Sequence, residues 1–186
     1  MTWIVTYTGR EVDLVEPRPD QICLDDIAHS LSHTCRFAGH TKRFYSVAEH
    51  SLHVARLCPT LPALLHDAAE AYIGDVTRPL KHLLGERIAH IERRMQIAIA
   101  CRFGFAAHEL WSDEVKAADD ILLWTEKRDV LSPKASRVDW TSPAAKPLGE
   151  PLRPMGDPND VRLAFLARAD ALASRGSRLT PAERQT

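Results

Sequence analysis

The chain has little of what several common protein classes require. Its four cysteines, Cys23, Cys35, Cys58 and Cys101, are scattered, and none forms a CxxC pair. That argues against a zinc ribbon or a dithiol redox site and suits reduced, mostly buried thiols. Aromatic residues make up 6% of the sequence and the formal net charge is −1. A surface built for a nucleic-acid polymer is therefore not expected. There is no P-loop and no GxGxxG. No apolar run is long enough to span a bilayer, and Met1 to Asp20 lacks the apolar stretch of a signal peptide. The expectation is a soluble, cytoplasmic protein with no membrane partner.

What is present is an apolar fraction of 45%, a charged fraction of 26% and nine histidines in 186 residues. That length suits one domain with a core of its own. Residues 1–24 read as an irregular N-terminal arm, in which Trp3 to Tyr7 could form a short strand ended by Gly9. A domain follows over 25–175, and residues 176–186 read as a flexible tail. Apolar periodicity predicts a helix from Asp25 or Asp26 to about Arg36, with Ile27, Leu31 and Cys35 on one face. Ser46-Val47-Ala48-Glu49 has the capping-box form and opens a helix to about Leu57. Thr60 caps the next, which runs to near Gly74 and has Pro62 in its first turn. Glu86 to Phe103 carries Ile88, Ile91, Met95 and Ile99 on one stripe. Ser112 opens a helix to about Leu131, and Asp157-Pro158 opens the last. Residues 132–156 hold five prolines and read as a long loop. The fold class is all-α, a bundle of five or six main helices.

His66 and Asp67 stand together in an apolar stretch, Ala63 to Tyr72. Such a pair is costly to bury without strong partners, and a divalent metal is one. Imidazole with carboxylate suits Zn, Mn, Fe, Co or Ni. Two residues cannot fill a coordination sphere, so other helices must contribute. His50, in the first turn of its helix, and Asp119, on an amphipathic helix, are candidates. Glu70 lies one turn after His66, and Asp75 follows Gly74 where the helix ends.

Four segments in order then resemble the HD-domain phosphohydrolase superfamily: Val47-Ala48-Glu49-His50-Ser51, Leu65-His66-Asp67-Ala68-Ala69-Glu70, Gly74-Asp75-Val76-Thr77-Arg78-Pro79-Leu80-Lys81 and Lys116-Ala117-Ala118-Asp119. Within it they are most similar to bacterial and phage 5′-deoxynucleotidases and deoxynucleoside triphosphohydrolases. The resemblance covers roughly Ile27 to Lys127. It implies an HD-type helical bundle in which His50, His66, Asp67 and Asp119 hold one divalent metal, with Glu70 and Asp75 catalytic or in contact with substrate. It also implies that Arg36 contacts phosphate. Lys81 could assist it, Asp75 could accept a sugar hydroxyl, and Phe37 could wall off a 2′-OH. A homodimer or larger homo-oligomer is implied as well.

The expected reaction is release of phosphate from deoxynucleoside 5′-monophosphates, small-molecule substrates. The alternatives are a deoxynucleoside triphosphate triphosphohydrolase, for which Mg would accompany the substrate, and a non-catalytic nucleotide-binding helical module. Few basic residues lie near the motifs, which favours the monophosphate. His29 and His33 share a helical face but have no evident third ligand. His40 could reach a phosphate. His53 reads as structural. His108-Glu109-Leu110-Trp111-Ser112 lacks the second histidine of a zinc-protease motif.

Overall fold

The computed structural model describes residues 1–134 and 145–176. Eight helices lie among them, five of ten residues or more: α1 (Leu24–His33), α2 (Val47–Leu57), α6 (Glu86–Phe103), α7 (Asp113–Asp129) and α8 (Pro158–Gly176). Three are short: α3 (Leu61–Leu64), α4 (Glu70–Ile73) and α5 (Arg78–Leu84). The architecture is thus mostly helical, with five long helices where five or six were expected; the one expected from Thr60 to near Gly74 is broken. None of the described helices is long and apolar enough to cross a membrane. The tail expected beyond Gly176 and the loop segment 135–144 lie outside the described residues.

The capping signals hold at three helices. Ser46, Thr60 and Ser112 each accept a backbone N–H from three residues on, those of Glu49, Ala63 and Val115. Each such cap satisfies a donor that the first helical turn leaves open. The box at Ser46 is half formed, because the Glu49 side chain turns to the Met155 N–H instead, at 2.7 Å. α1 stops at His33, and the backbone then makes a tight turn at Arg36–Gly39.

The N-terminal arm holds the short strand expected from Trp3 and a second one besides. β1 (Trp3–Val5) pairs antiparallel with β2 (Glu11–Asp13), Ile4 opposite Val12. Glu11–Asp13 is too short and too charged to show a strand period, so the second strand was missed. The hairpin is pinned by Asp26, which is 2% exposed. Its carboxylate accepts from Thr8 N (2.7 Å), Thr8 Oγ1 (2.9 Å) and Thr6 Oγ1 (2.9 Å). Val12 and Ile22 reach the main core, where Ile27, Leu31, Leu64, Leu65, Met95, Ile99 and Phe165 are fully buried. Burying each of the larger aliphatic chains contributes about 1.5–3 kcal/mol.

α2 lies at the centre, packed against α1, α3, α7 and α8. A second cluster, Val54, Ala63, Val115, Ala118 and Leu122, joins α2, α3 and α7. The segment before α8 lies along α7: Leu148 N donates to Thr125 Oγ1 and Leu152 N to Asp129 Oδ2. The described part of the proline-rich stretch is therefore docked, through its own backbone amides.

Candidate metal centre

The expectation of one helix carrying His66 and Asp67 is corrected by the structure. The helix breaks after Leu64 and resumes at Glu70. Between them the hydrogen bonds shorten by one residue: Ala68 N to Leu65 O and Glu70 N to Asp67 O, each 2.9 Å. The break has a chemical use. In a continuous helix the Ala63 carbonyl would accept from the Asp67 amide; here it accepts from His66 Nδ1 at 2.9 Å. Adjacent residues on a helix point about 100° apart. On this turn His66 Nε2 and Asp67 Oδ2 meet at 3.2 Å instead.

α2 supplies His50, fully buried, from its capped first turn. Its Nδ1 lies 2.6 Å from Glu126 Oε1, and its Nε2 lies 3.3 Å from His66 Nε2. The outer nitrogens of both rings are thus taken, one by a carboxylate and one by a carbonyl, which places the proton on Nδ1 in each neutral ring. Two Nε2 lone pairs then face each other. That arrangement is repulsive unless a proton or a metal ion lies between them. His50, His66 and Asp67 each bring one donor atom within 4.8 Å of the others and could hold a metal ion. Asp119 flanks this trio from α7, its Oδ1 3.1 Å from His50 Nε2, without coming within 4.8 Å of all three donors. Two donors bound to one zinc-like ion at about 2.1 Å in tetrahedral geometry stand about 3.4 Å apart, so these spacings fit.

The field at the cluster favours positive charge. Burial and Arg36 both oppose an imidazolium at His50, yet Glu126 and Asp119 outweigh them and raise its pKa to about 9. Burial pushes Asp119 up, but His50, His66 and Arg36 bring it down to about 2. Asp67 lies well below the usual carboxylate range, its burial overcome by His66, His50 and Arg36.

Arg36 is at the centre too. Its Nε contacts both Glu126 oxygens, at 3.1 and 3.0 Å. Nη1 stands 3.6 Å from Asp67 Oδ2 and Nη2 3.8 Å from Asp119 Oδ1. These last are ion-pair distances, too long for hydrogen bonds. Phe37 follows with its ring 5.2 Å from the Arg36 guanidinium carbon, and its N–H donates to Asp75 Oδ2 at 3.1 Å. Phe37 and Ala38 have φ of 55° and 51°, the left-handed region that residues with a Cβ rarely enter.

Glu70 is 6% exposed, and its Oε2 has no hydrogen-bond partner among the described residues. Burial first, then Asp67 and Asp75, push its carboxyl well above the usual range. Asp75 is raised by burial and by Asp67. Lys81 Nζ is 2.6 Å from Glu92 Oε1 and 3.7 Å from Glu70 Oε1. The structure therefore gathers His50, His66, Asp67, Asp119 and Arg36, with Asp75 tied to the turn after Arg36 and Lys81 beside Glu70.

Three contributors escaped the sequence reading: Glu126, Tyr45 and Glu92. Glu126 had a signal, since it follows Asp119 by seven residues, two turns along one face of α7. It is fully buried and also accepts from Tyr45 Oη at 2.9 Å. Glu92 and Tyr45 lacked one. The His29 and His33 rings lie 4.3 Å apart and tilted by 30°, and Tyr7 stacks on His29 at 3.7 Å. They belong to no group of three metal donors among the described residues. His40 is exposed, in the turn after Gly39.

No family model matches the chain. Two curated proteins resemble it. It is 41% identical over 133 residues to a protein of Escherichia coli K12 titled Uncharacterized protein YfdR, covering 70% of this chain and 73% of that one. It is 35% identical over 189 residues to Uncharacterized protein RCAP_rcc00048 of Rhodobacter capsulatus, covering 91% and 95%. At such identity and coverage, the chain belongs to one family with YfdR and RCAP_rcc00048.

Proposed function

We propose that the protein is an HD-type, metal-dependent phosphohydrolase that releases phosphate from deoxynucleoside 5′-monophosphates. One observation carries the reading: two buried imidazoles present their Nε2 atoms to each other at 3.3 Å, beside Asp67 and Asp119. Those four residues would hold one divalent transition metal. When bound, such an ion lowers the pKa of a water and polarises a phosphoryl oxygen.

The remaining roles fall to the chain itself. Glu70, its carboxyl pushed well above the usual range by burial, Asp67 and Asp75, is placed to act in its protonated form and donate to the departing sugar oxygen. Lys81, anchored on Glu92, stands next to it. The Arg36 terminal nitrogens face the carboxylates at 3.6 and 3.8 Å and retain donors for a phosphate oxygen. Asp75 and Phe37 line the sugar side.

Charge favours the monophosphate. Asp67, Asp119 and Glu126 lie around the centre against Arg36, and Lys81 is already paired with Glu92. A triphosphate would bring more negative charge than those cations match. The test is a panel of deoxy- and ribonucleoside mono- and triphosphates with Zn, Mn, Co, Ni, Fe and Mg, reading products by chromatography. Nucleoside and inorganic phosphate from deoxymonophosphates are expected. Tripolyphosphate as product would shift the assignment to a triphosphohydrolase, and no turnover with any metal would overturn it.

A further inference from the structure

We infer that Glu126, which holds no ligand position in the scheme above, is the positioning residue that builds the centre. The inference rests on the metal-binding reading. Three groups converge on this one carboxylate: His50 Nδ1 at 2.6 Å, Tyr45 Oη at 2.9 Å and Arg36 Nε at 3.0 and 3.1 Å. Glu126 and His50 are both fully buried, so no bulk water competes for these bonds.

The consequences follow from donor and acceptor chemistry. A carboxylate at Nδ1 fixes the proton there and leaves Nε2 as the only lone pair His50 can offer. The negative charge also raises the basicity of that nitrogen as a ligand. The same carboxylate grips Arg36 by Nε alone, which turns Nη1 and Nη2 toward Asp67 and Asp119. Glu126 thus sets the tautomer of one ligand and the orientation of the cation beside two others. Glu126→Gln keeps the shape but removes the charge, and its NH₂ would face Arg36 or Tyr45 as a second donor.

The experiment measures zinc affinity by chelator competition in the wild type, Glu126→Gln and Tyr45→Phe. Glu126→Gln should bind zinc ~10–100-fold more weakly, the usual effect of losing an outer partner of a metal-bound histidine. Tyr45→Phe, which removes one donor to Glu126 but leaves the His50 and Arg36 contacts in place, should weaken zinc binding less than Glu126→Gln does. Equal affinity in wild type and Glu126→Gln would overturn the inference and leave the metal reading standing. A wild type that binds no zinc would overturn both. If Glu126→Gln does not fold, long-range ¹⁵N spectra of the zinc-loaded wild type decide. His50 should show a protonated Nδ1 and a metal-bound Nε2; zinc on Nδ1 would refute the role.

Discussion

Replacing Asp26 by Ala should detach the N-terminal hairpin. This side chain is 2% exposed and accepts three hydrogen bonds, from Thr6 Oγ1, Thr8 Oγ1 and Thr8 N. The two threonine hydroxyls can rotate toward water when the carboxylate is gone, so they count for little. The Thr8 amide, at 2.7 Å, cannot rotate, and losing a hydrogen bond to a charged acceptor costs about 1.5–3 kcal/mol. Looser packing of Val12 adds to this, for a total of about 2–4 kcal/mol. At about 2–4 °C per kcal/mol for a domain of this size, a midpoint fall of about 4–16 °C is expected. Asp26→Asn retains one acceptor and should lose roughly half as much. Differential scanning calorimetry of the three metal-free proteins measures it. A fall under about 1 kcal/mol for Asp26→Ala, or a larger loss in Asp26→Asn, would refute the reasoning. Asp26 is not among the groups gathered at the metal centre, so zinc affinity should be unchanged.

Three further outcomes are expected. Ala38→Gly should stabilise the protein by about 1 kcal/mol in urea melts, because exposed Ala38 sits at φ 51° and glycine bears no Cβ penalty there. His53 is pushed down to about 4 by burial, Arg56 and His50, so the unfolded chain binds its proton first as pH falls. Its contribution is intact above the unfolded value near 6.5 and is lost going down: the stability of wild type relative to His53→Gln should drop by about 2 kcal/mol between pH 7 and pH 5, measured without metal. Glu70→Gln should retain metal but turn over ~10²–10⁴-fold more slowly. In the wild type, kcat should decline as pH rises through the elevated Glu70 pKa, whose protonated form is the active one; a decline only on the acid side would remove the proton-donor role.

Local signals in the sequence carried much of the helical frame. Ser46, Thr60 and Ser112 marked helix starts because an N-cap works within four residues. His50, His66, Asp67 and Asp119 could be singled out because each lies in a recognisable local segment. What could not be read depends on contacts distant in sequence. The break at Leu64–Glu70 replaces an ordinary helical pattern, and only the tertiary demand of turning His66 and Asp67 to one point reveals it. β2 has three residues, and Asp26, far along the chain, holds its turn. Glu49 looked like half of a capping box; the Met155 amide, 106 residues away, takes its carboxylate. Glu126 lay within reach of the sequence, two turns after Asp119, but its partners Arg36, Tyr45 and His50 come from the other half of the domain.

The central claim, a metal held by His50, His66, Asp67 and Asp119, is tested most directly by elemental analysis of the purified protein after zinc loading and desalting. The wild type should carry about one equivalent per chain, as a single site predicts, and Asp67→Ala, still folded by circular dichroism, should lose it. A folded Asp67→Ala protein that keeps the full equivalent would contradict the account.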